Sequence, residues 1–521
     1  MELRNYQQRA VDAITESLGE HQSTLMVKPT GTGKTVVFCH VAQRFIEHGR
    51  VLILAHREEL IFQAAEKVER ILGRKPAIEM AEFRSHEGPM FRKADVVVSS
   101  IQTQNAGRNG RRMSRFDPAE FSLVIVDEAH HVTADSYQRV LDHYLQNPNI
   151  KVLGCTATPD RHDEEVLGQI FDSVCFDYGI LDAITDGWLV PIRQQFIHVE
   201  DLDFSAVRTT AGDLNGADLA AVMEEESAVH GIADPTFRLA DGRRTLAFAA
   251  SVVHAETLTE IFNRHKPESA RIVTGRTPKD ERRGMFSDYA EDRFQFLCNV
   301  GVATEGFDSP GIQVVSVARP TKSRALYAQC IGRGTRPLTG VVDGLPDAQA
   351  RRRAIAASAK RGLTVLDFVG NSGRHKLITT AEILGGHYPD EVVERAKRTI
   401  ARIGVAADVT AVLDDTARQE QAERKQRERL RRRHIVGKAR YQASDVDPFG
   451  VLDIEPRREP GWHKGRKPSQ KMVALLGKFG IDKADALSFH QAHELIDAGK
   501  LVSALSNKRR PSKSTDTTRR P

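Results

Sequence analysis

The apolar run Leu25-Met26-Val27 leads into Pro29-Thr30-Gly31-Thr32-Gly33-Lys34-Thr35, and a helix-like segment, Val36-Val37-Phe38, follows at once. A strand that ends in a glycine loop and resumes as a helix admits few folds. The loop's N–H groups and the helix N-terminus must converge on one anionic site. The glycines allow close approach, Lys34 can reach outer phosphates, and the Thr35 hydroxyl can serve a Mg²⁺. These seven residues are expected to bind a nucleoside triphosphate. The general pattern opens with glycine where this chain has Lys28.

The rest of the chain supplies the sheet such a loop needs. Short continuous apolar runs recur at 24–27, 51–55, 95–99, 123–126 and 152–155, with helical segments such as 36–48 and 58–72 between them. Continuous runs mark strands buried on both faces, so an α/β fold with an open, doubly wound parallel sheet is expected. A second set of runs at 245–248, 271–273, 294–298, 314–317 and 364–368 predicts a second α/β block of the same design. Ligands of such sheets lie at the carboxyl ends of the strands.

The expected division is a first block over 1–195, a linker or insert over 196–242 and a second block over 243–390. A charged helical segment over 391–445, a Pro- and Gly-rich linker over 446–468 and a small helical unit over 469–506 follow. Residues 507–521 are expected to be disordered. In the charged segment, Glu420/Arg424, Glu423/Arg427 and Glu428/Arg432 stand at i,i+4, which supports an exposed helix. Ser469, and Ser488 with Gln491, are expected to cap the two helices of the small unit.

A 521-residue chain that is 40% hydrophobic and 28% charged can build several ordinary globular cores. No apolar run approaches the roughly 20 residues of a membrane span, and a reducing, cytoplasmic and nucleoid-associated setting is expected. The five cysteines form no C-x-x-C pair, so neither a disulfide framework nor a zinc site is expected. The net charge of +5 is uneven, because Lys and Arg concentrate after about residue 420. That imbalance points to nucleic acid or to a solubilising tail.

Three further segments carry chemistry. Val126-Asp127-Glu128-Ala129-His130 closes an apolar run with an acidic pair, costly unless it binds something. Behind a phosphate loop, Asp127 suits Mg²⁺ and Glu128 suits the attacking water. Thr156-Ala157-Thr158-Pro159 closes the next run and can sense closure of a cleft. In the second block, Gln329-Cys330-Ile331-Gly332-Arg333-Gly334-Thr335-Arg336 spaces two arginines to face one surface, where guanidinium groups can neutralise a γ-phosphate.

Taken in order with Tyr6-Gln7, these segments resemble a superfamily 2 helicase of the DEAH-box kind, nearest the branch of XPB-like and RadD-type DNA repair helicases. Leu54-Ala55-His56-Arg57-Glu58-Glu59-Leu60, Ser99-Ser100-Ile101-Gln102-Thr103, Val302-Ala303-Thr304-Glu305-Gly306-Phe307-Asp308-Ser309-Pro310 and Ala318-Arg319-Pro320-Thr321 are similar to further motifs of that branch. The resemblance covers roughly residues 1–385 and implies two RecA-like domains in tandem.

It also implies roles. Lys34, Asp127, Glu128, Arg333 and Arg336 would be catalytic. Arg4 and Gln7 would read adenine, Pro29 to Thr35 would hold the phosphates of ATP, and Gly306 and Asp308 would complete the cofactor site. Thr35 and Asp127 would hold Mg²⁺. His130, Thr156, Thr158, Glu305 and Gln329 would couple nucleotide state to closure. Arg57, Thr103 and Thr304 would touch the nucleic-acid backbone.

The implied activity is an ATP-dependent DNA helicase or duplex translocase acting on single-stranded, duplex or branched DNA, in repair, recombination or replication. An RNA-directed ATPase, a catalytically silent nucleic-acid clamp and the motor partner of a separate nuclease remain alternatives. The basic C-terminal unit is expected to bind DNA or a branched junction, or to dock a partner.

Overall fold

The computed structural model describes residues 3–81, 83, 93–107, 112–157, 161–210, 212–303, 307, 309–373, 375–435, 449, 457–479, 481 and 484–508. The first lobe runs α1 (Asn5–Glu20), β1 (Ser23–Val27), α2 (Lys34–Phe45), β2 (Arg50–Ala55), α3 (Glu58–Leu72), β3 (Ala77–Glu79), β4 (Val96–Ser100) and α4 (Ile101–Gln104). It continues with β5 (Phe121–Asp127), α5 (Asp135–Tyr144), β6 (Lys151–Thr156), α6 (Arg161–Ile170), β7 (Ser173–Asp177) and α7 (Ile180–Thr185).

Its seven strands form one sheet in the order β3-β4-β2-β5-β6-β1-β7, every pair parallel. Helices cover both faces. Ala10, Ile14, Phe38 and Val68 pack on one side, and Val140, Leu141 and Leu167 on the other. Burial on both sides explains why the strands read as unbroken apolar runs rather than alternating ones.

The second lobe holds β8 (Ile192–Asp203), the hairpin β9 (Thr209–Thr210) and β10 (Asp213–Leu214), α8 (Gly216–Met223), α9 (Glu226–Ala240), β11 (Thr245–Phe248), α10 (Val252–His265), β12 (Ala270–Val273) and α11 (Lys279–Ala290). β13 (Phe296–Asn299), β14 (Val314–Val317), α12 (Arg324–Gly332), α13 (Ala348–Ala357), β15 (Leu363–Asn371), α14 (Thr380–Leu384), α15 (Asp390–Ile403), β16 (Ala407–Asp408) and α16 (Val409–Ile435) complete it. The sheet order is β12-β13-β11-β14-β15-β8-β16, parallel except for the edge strand β16. Two doubly wound lobes in tandem are therefore present, as expected.

The boundaries differ from the sequence reading. The division expected at 195 falls inside β8, which pairs with β15 in the second sheet. The stretch read as a linker or insert carries Val199, Leu202, Phe204 and Ile232 into the second lobe's core. In the charged segment, Val392, Val393, Ala396 and Ile400 bury one face of α15. α16 lies beside it, tied by Arg395 to Glu420 at 2.7 Å and Glu423 at 3.0 Å.

Of the stretch read as a linker over 446–468, the described residues 457–468 are docked on the first lobe, and 446–448 and 450–456 lie outside the described residues. The short turn Gly461–His463 buries Trp462 to 5% exposure against α6. Glu164 accepts from Arg458 at 3.0 Å and from the Gly461 N–H at 2.9 Å, and Arg466 donates to the Gly168 carbonyl at 2.7 Å. Two helices, Gln470–Lys478 and Phe489–Lys508, then enclose a small core around Leu476, Ala492, Leu495 and Ile496. The tail expected to be disordered lies, from residue 509 on, outside the described residues. No helix among the described residues is long and apolar enough to cross a membrane.

Candidate nucleotide and nucleic-acid site

The strand order sets the first half of the site. β1 lies beside β6, and β6 beside β5, so the loop after β1, Thr156 and the Asp127-Glu128 pair emerge together at the carboxyl edge. Gly31 and Gly33 adopt φ values of +90° and +80°, which side chains resist, and Gly33 caps α2 with Lys34 as its first residue. Lys34 Nζ meets Glu128 Oε1 at 2.8 Å, both side chains nearly buried. Burial presses the Lys34 ammonium down, but Glu128 and Asp127 outweigh it and raise the pKa. Burial pushes the Glu128 carboxyl up, but Lys34 and then His130 outweigh it, so Glu128 is held well below the usual carboxylate range.

Glu128 itself sits at φ +51°, a left-handed conformation uncommon outside glycine. This turn lets the Asp127 carboxylate accept the Glu128 N–H at 3.0 Å. Glu128 Oε2 accepts no hydrogen bond, and His130 Nδ1 lies 3.5 Å from it. The same His130 nitrogen is 3.2 Å from the Thr156 hydroxyl. Thr158 lies outside the described residues.

The base-reading element expected at Arg4 and Gln7 opens α1. Gln7 Oε1 accepts the Arg4 N–H at 3.0 Å, and its Nε2 donates to the Thr32 carbonyl at 3.2 Å. Tyr6 stacks on Tyr178 at 5.1 Å and donates its hydroxyl to the same Thr32 carbonyl at 2.9 Å. Arg4 lies 4.5 Å over the Trp188 ring and pairs with Asp343 of the second lobe at 2.7 Å. Thr32 closes the loop on itself by donating to the Pro29 carbonyl at 2.7 Å.

The second lobe brings one of its two motif arginines, Arg336, to this loop. A Cβ on Gly31 would sit 3.2 Å from Arg336 Cγ and Nε, and one on Gly332 would sit 3.0 Å from Thr30 Cβ. The two glycines are what let the lobes touch here. Burial pushes Arg336 down to about 10. Arg333 points elsewhere along the motif, donating to the Phe307 carbonyl at 2.7 Å. Gln329 is buried on α12. Thr304, Glu305, Gly306 and Asp308 lie outside the described residues.

Two of the expected backbone-contact residues are described. Arg57 precedes α3 at the mouth of the cleft and donates to the Gly301 carbonyl across it at 3.0 Å. Thr103 is only 6% exposed, and its hydroxyl accepts from Ser100 Oγ at 2.7 Å and the Ala81 N–H at 3.2 Å. Glu58 and Glu59 beside Arg57 pair with Lys279 at 2.5 Å and Arg282 at 2.7 Å.

Asp127 and Thr35 supply oxygen donors, the chemistry Mg²⁺ takes. Among the described residues no group of three or more His, Cys, Asp or Glu could hold a metal by itself. The pair therefore fits an ion carried mainly by substrate phosphates. The residue that sequence reasoning missed is Lys360, buried behind Arg336, whose Nζ donates to the Arg336 carbonyl at 2.6 Å. A lone lysine in the polar turn Lys360-Arg361-Gly362 gave no signal.

Residues 1–161 match the family described as type III restriction enzyme, res subunit, and residues 229–337 match the helicase conserved C-terminal domain. A Saccharomyces cerevisiae protein named as the ATP-dependent helicase IRC3 is 32% identical over 64% of this chain and 49% of its own length. A Schizosaccharomyces pombe protein named as the mitochondrial ATP-dependent helicase irc3 is 30% identical over 75% of this chain and 61% of its own length. The matched region thus spans about half to three-fifths of these relatives. The ATP-dependent type ISP restriction-modification enzyme LlaBIII, solved bound to DNA, shares the fold with a TM-score of 0.52 at 14% identity, covering 99% of this chain and 39% of that one.

Proposed function

We propose that this chain, a superfamily 2 helicase by its two matched domains, is an ATP-driven motor that moves along DNA. One observation carries the reading. Arg336 of the second lobe lies against Gly31 of the phosphate loop, so one triphosphate would be held by both lobes at once.

The chain's own groups divide the work. Lys34 pairs with Glu128 and would exchange that carboxylate for the outer phosphates. Glu128, released from Lys34, would lose the main charge that depresses its pKa and so could orient the attacking water and accept its proton. His130, between Glu128 and Thr156, would report that change to the strand end. Arg336 would meet charge developing on the γ-phosphate from the opposite lobe. Mg²⁺ on Thr35 and Asp127 would neutralise and align the phosphates.

Loss of the γ-phosphate would remove the shared ligand and let the lobes separate, and alternation of the two states would step the motor along a strand. Grip through phosphates would be largely independent of sequence and sensitive to salt. A preference for ATP would come from Arg4 and Gln7. The finer placement, a DEAH-box member of the XPB-like and RadD-type repair branch in a nucleoid-associated setting, rests on Asp127-Glu128-Ala129-His130 and the motif order.

ATP turnover measured with single-stranded, duplex and forked DNA and with RNA, beside strand displacement, tests the substrate. DNA should raise turnover. Stimulation confined to RNA, with a 2′-hydroxyl requirement, would move the assignment to an RNA-directed ATPase. No stimulation by any nucleic acid would end the motor reading.

A further inference from the structure

Two lysines lie almost wholly inside the protein, one in each lobe. Lys28 is 0% and Lys360 1% exposed. Among the described residues neither meets a carboxylate within ion-pair distance. Burial, the largest influence on each, pushes both down to about 7 from a lysine's ordinary 10.5. An uncompensated buried ammonium is expensive, and such groups concentrate at functional sites.

Each spends its charge on main-chain carbonyls of the nucleotide site. Lys28 Nζ donates to the Thr32 carbonyl at 2.9 Å and lies 4.6 Å over the Tyr6 ring. Lys360 Nζ donates to the Arg336 carbonyl at 2.6 Å and the Pro310 carbonyl at 2.7 Å. One lysine stands behind the phosphate loop, and the other behind the arginine that touches it.

The geometry of the peptide unit gives these bonds a consequence. In a planar trans peptide the C=O and the following N–H point in opposite directions. Drawing the Thr32 carbonyl inward therefore turns the Gly33 N–H outward, toward a bound phosphate. That carbonyl has three donors, Tyr6, Gln7 and Lys28, for two lone pairs. Gln7 is also the residue proposed to read the base, so its amide is shared. Lys28 directly follows β1 and spends its donor on the loop itself, so its bond is not shared with base recognition. In the second lobe, fixing the Arg336 carbonyl fixes the backbone from which its guanidinium reaches.

We propose that Lys28 and Lys360 are positioning residues, Lys28 setting the phosphate loop and Lys360 setting the arginine segment that completes the site. This rests on the nucleotide-dependent reading above. A filler role would instead make both residues matter only to folding.

The full-length K28M and K360M variants separate the two, with steady-state ATP turnover on DNA as the readout. K28M should raise KM for ATP about tenfold, the worth of one hydrogen bond to a charged group, and change kcat less. K360M should lower kcat about tenfold while KM stays within about threefold, because the arginine acts mainly in the transition state. Tripolyphosphate, which has no base, should compete about tenfold less well for K28M than for wild type.

K28Q and K360Q keep a donor and should recover part of each loss. They also carry the test where a Met variant does not fold. Wild-type constants in both variants, or a kcat that falls only in proportion to the folded fraction with KM unchanged, would overturn the proposal. A wild type that turns over no ATP would overturn the motor reading and this proposal together. Turnover in the wild type with unchanged variants would overturn this proposal alone.

Discussion

Lys34 and Glu128 satisfy each other, and that pairing is why an ionised Glu and a protonated Lys can both sit nearly buried there. Lys28 and Lys360 have no such compensation, and this has a sign. Their folded pKa values lie near 7 and the unfolded value near 10.5, so between those limits the unfolded chain binds more protons. Their contribution to stability must therefore rise as pH rises from about 7 toward 10.5. Chemical denaturation of wild type and the K28M/K360M double variant across pH 7 to 9.5 should show the wild type gaining stability relative to the variant. An unchanged difference would mean that the ammonium groups are not buried as described. At this scale the sequence motifs picked out Lys34, Asp127, Glu128 and Arg336, which the structure gathers around the loop after β1. The sequence marked Lys28 only as a departure from a pattern. It gave nothing for Lys360, because a lysine that bonds to carbonyls through tertiary contact leaves no local trace.

Strands announced themselves when covered on both faces and hid when they were not. β11 and β14 fall where the apolar runs placed them. β8 instead mixes Ile192, Phe196 and Val199 with Arg193, Gln194, Gln195 and His198, because it is covered only in part and leaves Arg193 and His198 exposed. The segment before the last unit misled by composition. Its Pro, Gly and charge suit a linker, yet Gly461 serves contact: a Cβ there would lie 2.6 Å from Glu164 Cβ. Arg458, Lys464 and Arg466 are spent on α6, which leaves fewer cations of this unit for nucleic acid. Trp462→Ala should weaken this docking by about 3–5 kcal/mol, the usual cost of truncating a buried tryptophan. Hydrogen exchange should then accelerate across α6 and Gln470–Lys478 while β1, β5 and β6 stay protected. Unaltered exchange in α6 would show that the segment does not hold the unit to the lobe.

Across the whole molecule the lobes are joined both by polar links and by apolar packing of Tyr6, Tyr178, Ile180 and Ile184 into the second lobe's core. Arg4–Asp343, Glu58–Lys279 and Glu59–Arg282 are partly or largely exposed, and such pairs are worth about 0–1 kcal/mol each. Ion pairs so weak would hinder little the parting and rejoining of lobes that the proposed motor requires. The proposed motor depends on a site made from two halves, and ATP turnover with and without DNA for wild type, Lys34→Ala and Arg336→Ala tests it most directly. Each substitution alone should reduce DNA-stimulated turnover by about 10²-fold or more, although the two residues lie on different lobes. Full stimulated turnover in Arg336→Ala would contradict a shared site, and full turnover in Lys34→Ala would contradict the nucleotide site itself.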